Sequence, residues 1–197
     1  MKVALIGGTG FVGNYIVTAL GAEEHEVSLL VRPGSDDKIP AGDHCCVTRG
    51  DINSTEALDS TLTDCDAVIY TVGILRESPK QGITFEALQY EGVVQMVESA
   101  ERCGVDRVLL MSANGVYAEG TPYQSTKARA EEYVLASGLD ATVFRPSVIF
   151  GDPHGRMEIA TQLCRDMVRV PWPAMGFFRG LSPVTGAVMM SPVHAAD

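Results

Sequence analysis

Residues 4–13 read "ALIGGTGFVG", and this stretch constrains the fold more than any other. The apolar run "KVALI" (2–6) breaks at Gly7 and Gly8, and "FVGNYIVTAL" (11–20) takes up helical spacing at once, stopping at Gly21. Glycines crowded between a strand and a helix have steric work to do: a tight turn, close approach of a ligand to backbone, and close packing of helix on strand. The amides at such a helix start point outward, and the helix dipole favours an anion there. Two registers coexist. Gly8, Gly10 and Gly13 spell G-x-G-x-x-G, while Gly7, Gly10 and Gly13 spell G-x-x-G-x-x-G. Set between strand and helix, either one predicts a dinucleotide pyrophosphate site, with the amides bordering Thr9, Phe11 and Val12 as the anion cradle.

The rest of the chain supplies the matching architecture. "EVSLLV" (26–31), "CCVTRG" (45–50), "DAVIYTVG" (66–73), "DRVLLMS" (106–112) and "ATVFRP" (141–146) read as further strands. Helical patterns lie between them over 55–62, with Asn53 or Ser54 as cap, over 84–102, stopped by Gly104, and over 122–137, with Gly138 just past its end. Strands that are continuous apolar runs separated by helices mean a parallel sheet covered on both faces. The expectation is an α/β, doubly wound Rossmann domain over residues 1–150, followed by a small, incomplete substrate-side lobe over 151–197. In that lobe, "MEIATQLCRDMVRV" reads as a helix and "AVMMSPV" as a late strand around a proline- and glycine-rich loop.

Two strand ends bear on which cofactor is held. An acidic residue closing the second strand would bond the 2′-hydroxyl of NAD, but here the strand runs into Arg32, whose guanidinium suits a 2′-phosphate. NADP(H) is therefore expected, with NAD as the alternative and a solvated surface arginine as the competing explanation. After the third strand, "RGDI" places Asp51, with Ile52 beside it, where a carboxylate accepts from the adenine amino group or caps the next helix.

"PYQSTK" puts Tyr123 and Lys127 four apart, on one face of a helix. A tyrosine working as acid or base near neutrality must lose about three units from a free pKa near 10, or about 4 kcal/mol. A neighbouring ammonium and a positively charged nicotinamide ring supply stabilisation of that kind. The alternative is a surface pair on an amphipathic helix.

"GGTGFVG", "RGDI", "MSANGVY", "YQSTK" and "FRPSVIFGD" fall in the order found in the short-chain dehydrogenase/reductase superfamily. The chain resembles its extended and atypical branches, which include NAD-dependent epimerase/dehydratase-like proteins. The stretch from Thr121 to Asp152 looks most like the branch containing the accessory NADPH-binding subunit of respiratory complex I. The resemblance implies that Gly7, Gly10 and Gly13 hold the pyrophosphate and that Val72-Gly73 lies where the cofactor passes the fourth strand. It implies further that Tyr123 is the acid/base, that Lys127 binds the nicotinamide ribose and lowers the tyrosine pKa, and that Arg145-Pro146 leads to the substrate side. Two departures stand out. The serine or threonine expected after the fifth strand aligns with Ala113, leaving Ser112 one residue early and Asn114 as another donor. Family members also continue beyond "SPVHAAD", where Asp197 resembles a helix cap, so the lobe reads as cut short and its pocket roof as supplied elsewhere. A homodimer through the helix over 84–102 is implied on the same ground.

Composition narrows the field. A net charge of −10 argues against a nucleic-acid surface, though not against a locally positive cofactor pocket. No apolar run reaches membrane-spanning length, no export signal opens the chain, and five cysteines without a CxxC pair read as reduced thiols, so a cytoplasmic protein is expected. The four histidines show no ligand spacing, so no metal is expected. Two functions compete. One is an enzyme passing hydride between the cofactor and a small-molecule carbonyl, quinone or sugar-nucleotide substrate, with Tyr123, Lys127 and Ser112 as its catalytic residues. The other is a non-catalytic NADP(H)-binding assembly or redox-sensing subunit. Met157, Trp172, Phe177 and Phe178 are candidates for a pocket wall or for ordinary core.

Overall fold

The computed structural model describes residues 1–40, 42–152 and 192–197. Met1–Arg145 form one compact unit and Pro146–Asp197 a second. The sheet of the first unit contains β1 (Lys2–Ile6), β2 (Glu26–Val31), β3 (Cys45–Arg49), β4 (Ala67–Tyr70), β5 (Arg107–Met111) and β6 (Asp140–Phe144). All its pairings are parallel, in the order β3-β2-β1-β4-β5-β6. The order reverses between β1 and β4, and the crevice beyond the carboxyl ends at that point is where doubly wound sheets hold ligands.

Four helices connect these strands: α1 (Phe11–Ala22), α2 (Thr55–Leu62), α3 (Gly92–Cys103, preceded by a π-helical turn over Glu86–Glu91) and α4 (Pro122–Ala136). Alternation along β1 feeds two cores. Ala4 and Ile6 pack with Leu58, Met96, Val97 and Val134 from α2, α3 and α4, whereas Leu5 packs with Val17 of α1 and Val27, Leu29 and Val31 of β2. The doubly wound expectation therefore holds.

Capping follows local chemistry. Ser54 Oγ accepts from the Ala57 amide at 3.2 Å, so Ser54 rather than Asn53 caps α2. Thr121 and Gln124 form a reciprocal capping box on α4. Gly104 and Gly138 take left-handed backbone just past α3 and α4, as their positions in the sequence predict. Gly21 does not stop its helix. It lies inside α1, where a Cβ would come within 2.5 Å of the His44 ring, so its smallness serves packing.

Strand ends differ from expectation by a few residues. The fourth strand closes at Tyr70 instead of Gly73, because β1 gives way to the glycine turn after Ile6 and only the Thr71 amide still reaches the Ile6 carbonyl, at 2.9 Å. The helix expected over 84–102 is uniform in periodicity but not in winding. Tyr70, fully buried, donates its hydroxyl to the Leu88 carbonyl at 2.6 Å, inside the π-helical turn. A Cβ on Gly92 would stand 2.3 Å from that hydroxyl, so the turn and the tyrosine fit only around glycine. Such widened turns are frequent near functional sites.

In the second unit, strands β7 (Ile149–Phe150) and β8 (Val193–His194) pair in parallel, an arrangement too short to announce itself in sequence. Pro192 and Val193 are the last residues of the expected late strand; its residues 187–191, the expected helix over 157–170, and Met157, Cys164, Trp172, Phe177 and Phe178 lie outside the described residues. Cys45, Cys46, Cys65 and Cys103 are free thiols. Among the described residues no helix is long and apolar enough to cross a membrane.

Tyr70→Phe should destabilise the chain by about 1–2 kcal/mol, since it strands the buried Leu88 carbonyl. Urea unfolding of the two proteins would show the midpoint falling with an unchanged slope.

Candidate functional site

The predicted site residues string out along the carboxyl edge of the sheet. Asp51 and Ile52 follow β3, Arg32 follows β2, the glycine turn follows β1, Val72-Gly73 follow β4, and Ser112 follows β5. Tyr123 and Lys127 come from the first two turns of α4.

The two glycine registers differ in what a side chain would meet at Gly7 and at Gly8. Gly7 has φ +99, and a Cβ there would lie 2.6 Å from Thr71 Oγ1 and 3.0 Å from the Val72 amide nitrogen. At Gly13 a Cβ would fall 2.2 Å from the Gly7 carbonyl oxygen and 2.6 Å from the Gly8 Cα. Both obstacles include backbone that cannot yield cheaply. Gly8 meets leucine side-chain tips instead, with Leu29 Cδ2 at 2.5 Å. Backbone thus excludes a side chain at Gly7 and Gly13, whereas at Gly8 only side chains stand in the way.

Gly10 is different again: it caps α1 with extended backbone, and a Cβ would touch only the Gly7 oxygen, at 3.2 Å. The N-cap Gly10 offers α1 no side-chain cap, in contrast to Ser54 on α2 and Thr121 on α4, and no acidic residue stands in the first turn of α1. The positive end of the dipole and the first amides of Phe11, Val12 and Gly13 suit an anion. Thr9, half-buried, lies in the turn itself. The residues present fit an anionic dinucleotide.

At the far strand ends, Arg32 is exposed and donates from Nε to Ser35 Oγ at 3.3 Å. Asp51 uses its carboxylate within its own turn, accepting from the Asn53 amide at 3.1 Å and from Asn53 Nδ2 at 2.9 Å. It does not cap α2. The Ile52 side chain is in the core beside Tyr70 and Gly92, which leaves only its backbone for a ligand.

Lys127 sits in the interior although it is charged at neutral pH. It is 7% exposed, donates from Nζ to the Met111 carbonyl at 3.2 Å, and lies over the Tyr123 ring, 5.8 Å from its centre. A Cβ on Gly73 would be 4.0 Å from Nζ, so the β4 loop and the lysine meet. Burial lowers the Lys127 pKa to about 8, partly opposed by Glu131 one turn along α4. Glu131 is itself buried and is gripped by Arg145, whose Nε donates to both carboxylate oxygens at 3.0 Å.

Tyr123 packs edge-on against Phe85, and burial pushes its phenol up. That is opposite to the direction expected from a neighbouring ammonium: desolvation outweighs Lys127, which is itself drawn toward neutrality.

Ser112 ends β5 with its amide donating to the Phe144 carbonyl at 2.8 Å. Its side chain is on the Val108 and Leu110 face, in a crevice shared with Gln89 and Lys127. Its hydroxyl is buried without a hydrogen-bond partner among the described residues. Ala113 is half-buried and Asn114 exposed.

Gln89 was not anticipated. It is buried in the π-helical turn, donates from Nε2 to the Ile74 carbonyl at 3.0 Å, and accepts from Thr126 Oγ1 at 3.2 Å. It joins the loop after Gly73 to the residue preceding Lys127. A polar residue at a core position of the 84–102 helix was the available signal.

A family model described as NAD(P)H-binding matches residues 7–165. The chain belongs to this NAD(P)H-binding family. Its homologues fall among NAD-dependent epimerase/dehydratase and short-chain dehydrogenase/reductase-like proteins, as the motif order implies. The chain is 26% identical over 149 residues to a ceramide reductase of Caulobacter vibrioides, covering 76% of this chain and 46% of the relative. It is 30% identical over 151 residues to the photosystem II assembly factor Ycf39 of Guillardia theta, covering 76% and 47%. The crystal structure of the Bordetella bronchiseptica enzyme WbmH in complex with NAD+ superposes with a TM-score of 0.67 at 19% identity, over 76% of this chain and 56% of that one. The chain thus spans about half the length of these curated relatives.

Two outcomes follow for this NAD(P)H-binding chain. Gly10→Ala should keep the melting temperature within a few degrees yet weaken dinucleotide binding by calorimetry, whereas Gly13→Ala should lower both by overpacking on backbone. Separately, the folded pKa of Lys127 lies near 8, below the unfolded value of about 10.4. The unfolded state therefore binds more protons between these values, and stability should rise with pH from about 8 to about 10.4. Lys127→Met should flatten that slope in urea titrations across the range.

Proposed function

We propose that the chain is the cofactor-binding part of an NADP(H)-dependent oxidoreductase or epimerase-like enzyme that uses Tyr123 and Lys127 for proton transfer. The observation that carries this reading is the meeting of Lys127 with both Gly73 and the Tyr123 ring, next to the crevice where the sheet order reverses. When bound, NADP(H) supplies or accepts the hydride. Gly7, Gly10 and Gly13, with the amides from Thr9 to Val12, hold its phosphates, Arg32 takes the 2′-phosphate, and Asp51 and the Ile52 backbone face the adenine. Val72-Gly73 border the nicotinamide half.

In the reducing direction Tyr123 gives its phenolic proton to a carbonyl oxygen as that carbonyl becomes an alcohol. Lys127, as an ammonium, favours the resulting phenolate and bonds the ribose. Ser112 holds the substrate oxygen if its unpartnered hydroxyl turns outward. Substrates of this class are small carbonyl compounds, quinones or sugar nucleotides. Relatives named as reductases support that range, as does the ceramide reductase above. A homodimer through the segment 84–102 belongs to the same reading; Tyr90, Glu91, Val94 and Gln95 line an open groove there. The protein works in the cytoplasm.

A second reading, an NADP(H)-binding assembly subunit, is favoured by Ala113 at the usual hydroxyl position and by the raised Tyr123 phenol. The relative named as an assembly factor adds to it.

Turnover separates the two. The full-length protein with NADPH and a panel of aldehydes, ketones and quinones should oxidise the cofactor, and Tyr123→Phe should lower kcat by about 100-fold or more. Tight NADPH binding without turnover in either protein would favour the assembly subunit.

A further inference from the structure

The neighbourhood of Arg32 is more ordered than a surface arginine requires. β2 ends at Val31, and Arg32-Pro33-Gly34-Ser35 folds back as a tight turn, closed by the Ser35 amide donating to the Arg32 carbonyl at 3.2 Å. Pro33 brings its fixed φ, and Gly34 takes φ +82 with open space around its missing Cβ. Proline followed by a glycine of positive φ is the pattern of a type II turn. The turn returns Ser35 to the arginine: Ser35 is 3% exposed, and its Oγ accepts from Arg32 Nε at 3.3 Å. Held by Nε, the guanidinium keeps both terminal amino groups outside that bond, and Arg32 enters no ion pair among the described residues. A planar fork fixed at its base suits the oxygens of a phosphate.

The next residues carry charge of both signs. Asp36 and Asp37 follow Ser35 directly, then Lys38. Asp36 would repel a dianion beside Arg32, but Arg49 at the end of the adjacent β3 donates from Nε to Asp36 Oδ1 at 2.8 Å. The neighbouring carboxylate is thereby matched by a cation from a different strand.

We propose that Ser35 is a positioning residue for cofactor choice: its buried hydroxyl, delivered by the Pro33-Gly34 turn, aims the Arg32 guanidinium at a 2′-phosphate, while Arg49 offsets Asp36. This rests on the NADP(H) reading above and adds to it the means by which one exposed arginine discriminates.

The test is calorimetric titration of the intact chain with NADPH and with NADH, at low and moderate salt. Wild type should prefer NADPH, and Arg32→Ala should abolish the preference. Ser35→Ala should cut the NADPH:NADH affinity ratio about five-fold, the value of one hydrogen bond near 1 kcal/mol, with NADH affinity unchanged. Ser35→Thr should restore the ratio. Gly34→Ala, which meets no atom and disturbs only the backbone of the turn, should reduce the ratio as Ser35→Ala does. Arg49→Gln should weaken NADPH more than NADH, with the gap widening at low salt. A wild-type preference lost in Arg32→Ala but intact in both Ser35→Ala and Gly34→Ala overturns the role of Ser35 and leaves the NADP(H) reading standing. Equal loss of both cofactors in those two variants marks Ser35 as merely structural and also overturns it. A wild type that does not discriminate ends the NADP(H) reading and this inference with it.

Discussion

Everything at the carboxyl edge of the sheet depends on one steric constraint: three backbone segments meet where there is no room for a side chain. The turn after β1 lies against Thr71 and Val72 at Gly7, and the first turn of α1 lies against that same turn at Gly13. These contacts set the height of α1 over the sheet and bring its uncapped end to the point where strand order reverses. A methyl group at either position would move backbone, and with it the direction of the amides that face an anion. Affinity for phosphate is thus a packing property before it is an electrostatic one.

A second constraint acts on α4. Lysine is expensive to bury, and Lys127 is tolerated because a strand-end carbonyl and a carboxylate one turn away share its charge. The same enclosure raises the phenol beside it. The pair therefore makes opposite demands on one low-dielectric space: the lysine is eased toward neutrality while the tyrosine resists ionisation. A chain of net charge −10 supplies a cation at this spot only by holding it inside.

Much of this was legible in the sequence, and for physical reasons. Strands buried on both faces must be continuous apolar runs, so the central β1, β2 and β4 stood out most, and the glycine turn was marked by spacing that no ordinary loop needs. Tyr123 and Lys127 were found by helical periodicity together with their place after the fifth strand. Other features depended on contacts between distant residues, which periodicity cannot carry. The difference between Gly7 and Gly8 turns on what a Cβ would strike across the sheet. The π-helical turn depends on Tyr70, eighteen residues from the carbonyl it binds. Gln89 bridges two elements through its amide, and Gly21 resembled a helix stop because its real neighbour, His44, is on another segment. The upward push of burial on the Tyr123 phenol was hidden for a related cause: spacing along a helix reports adjacency, not desolvation.

The grip of Arg145 on Glu131 has a further consequence. It pins the last residue of the sheet-bearing unit to the helix that carries Tyr123 and Lys127, a single turn beyond the lysine. The backbone therefore leaves the first unit from a point held by side chains of that same unit. A change in length or sequence beyond Pro146 thus meets a fixed anchor on α4 before it reaches the sheet.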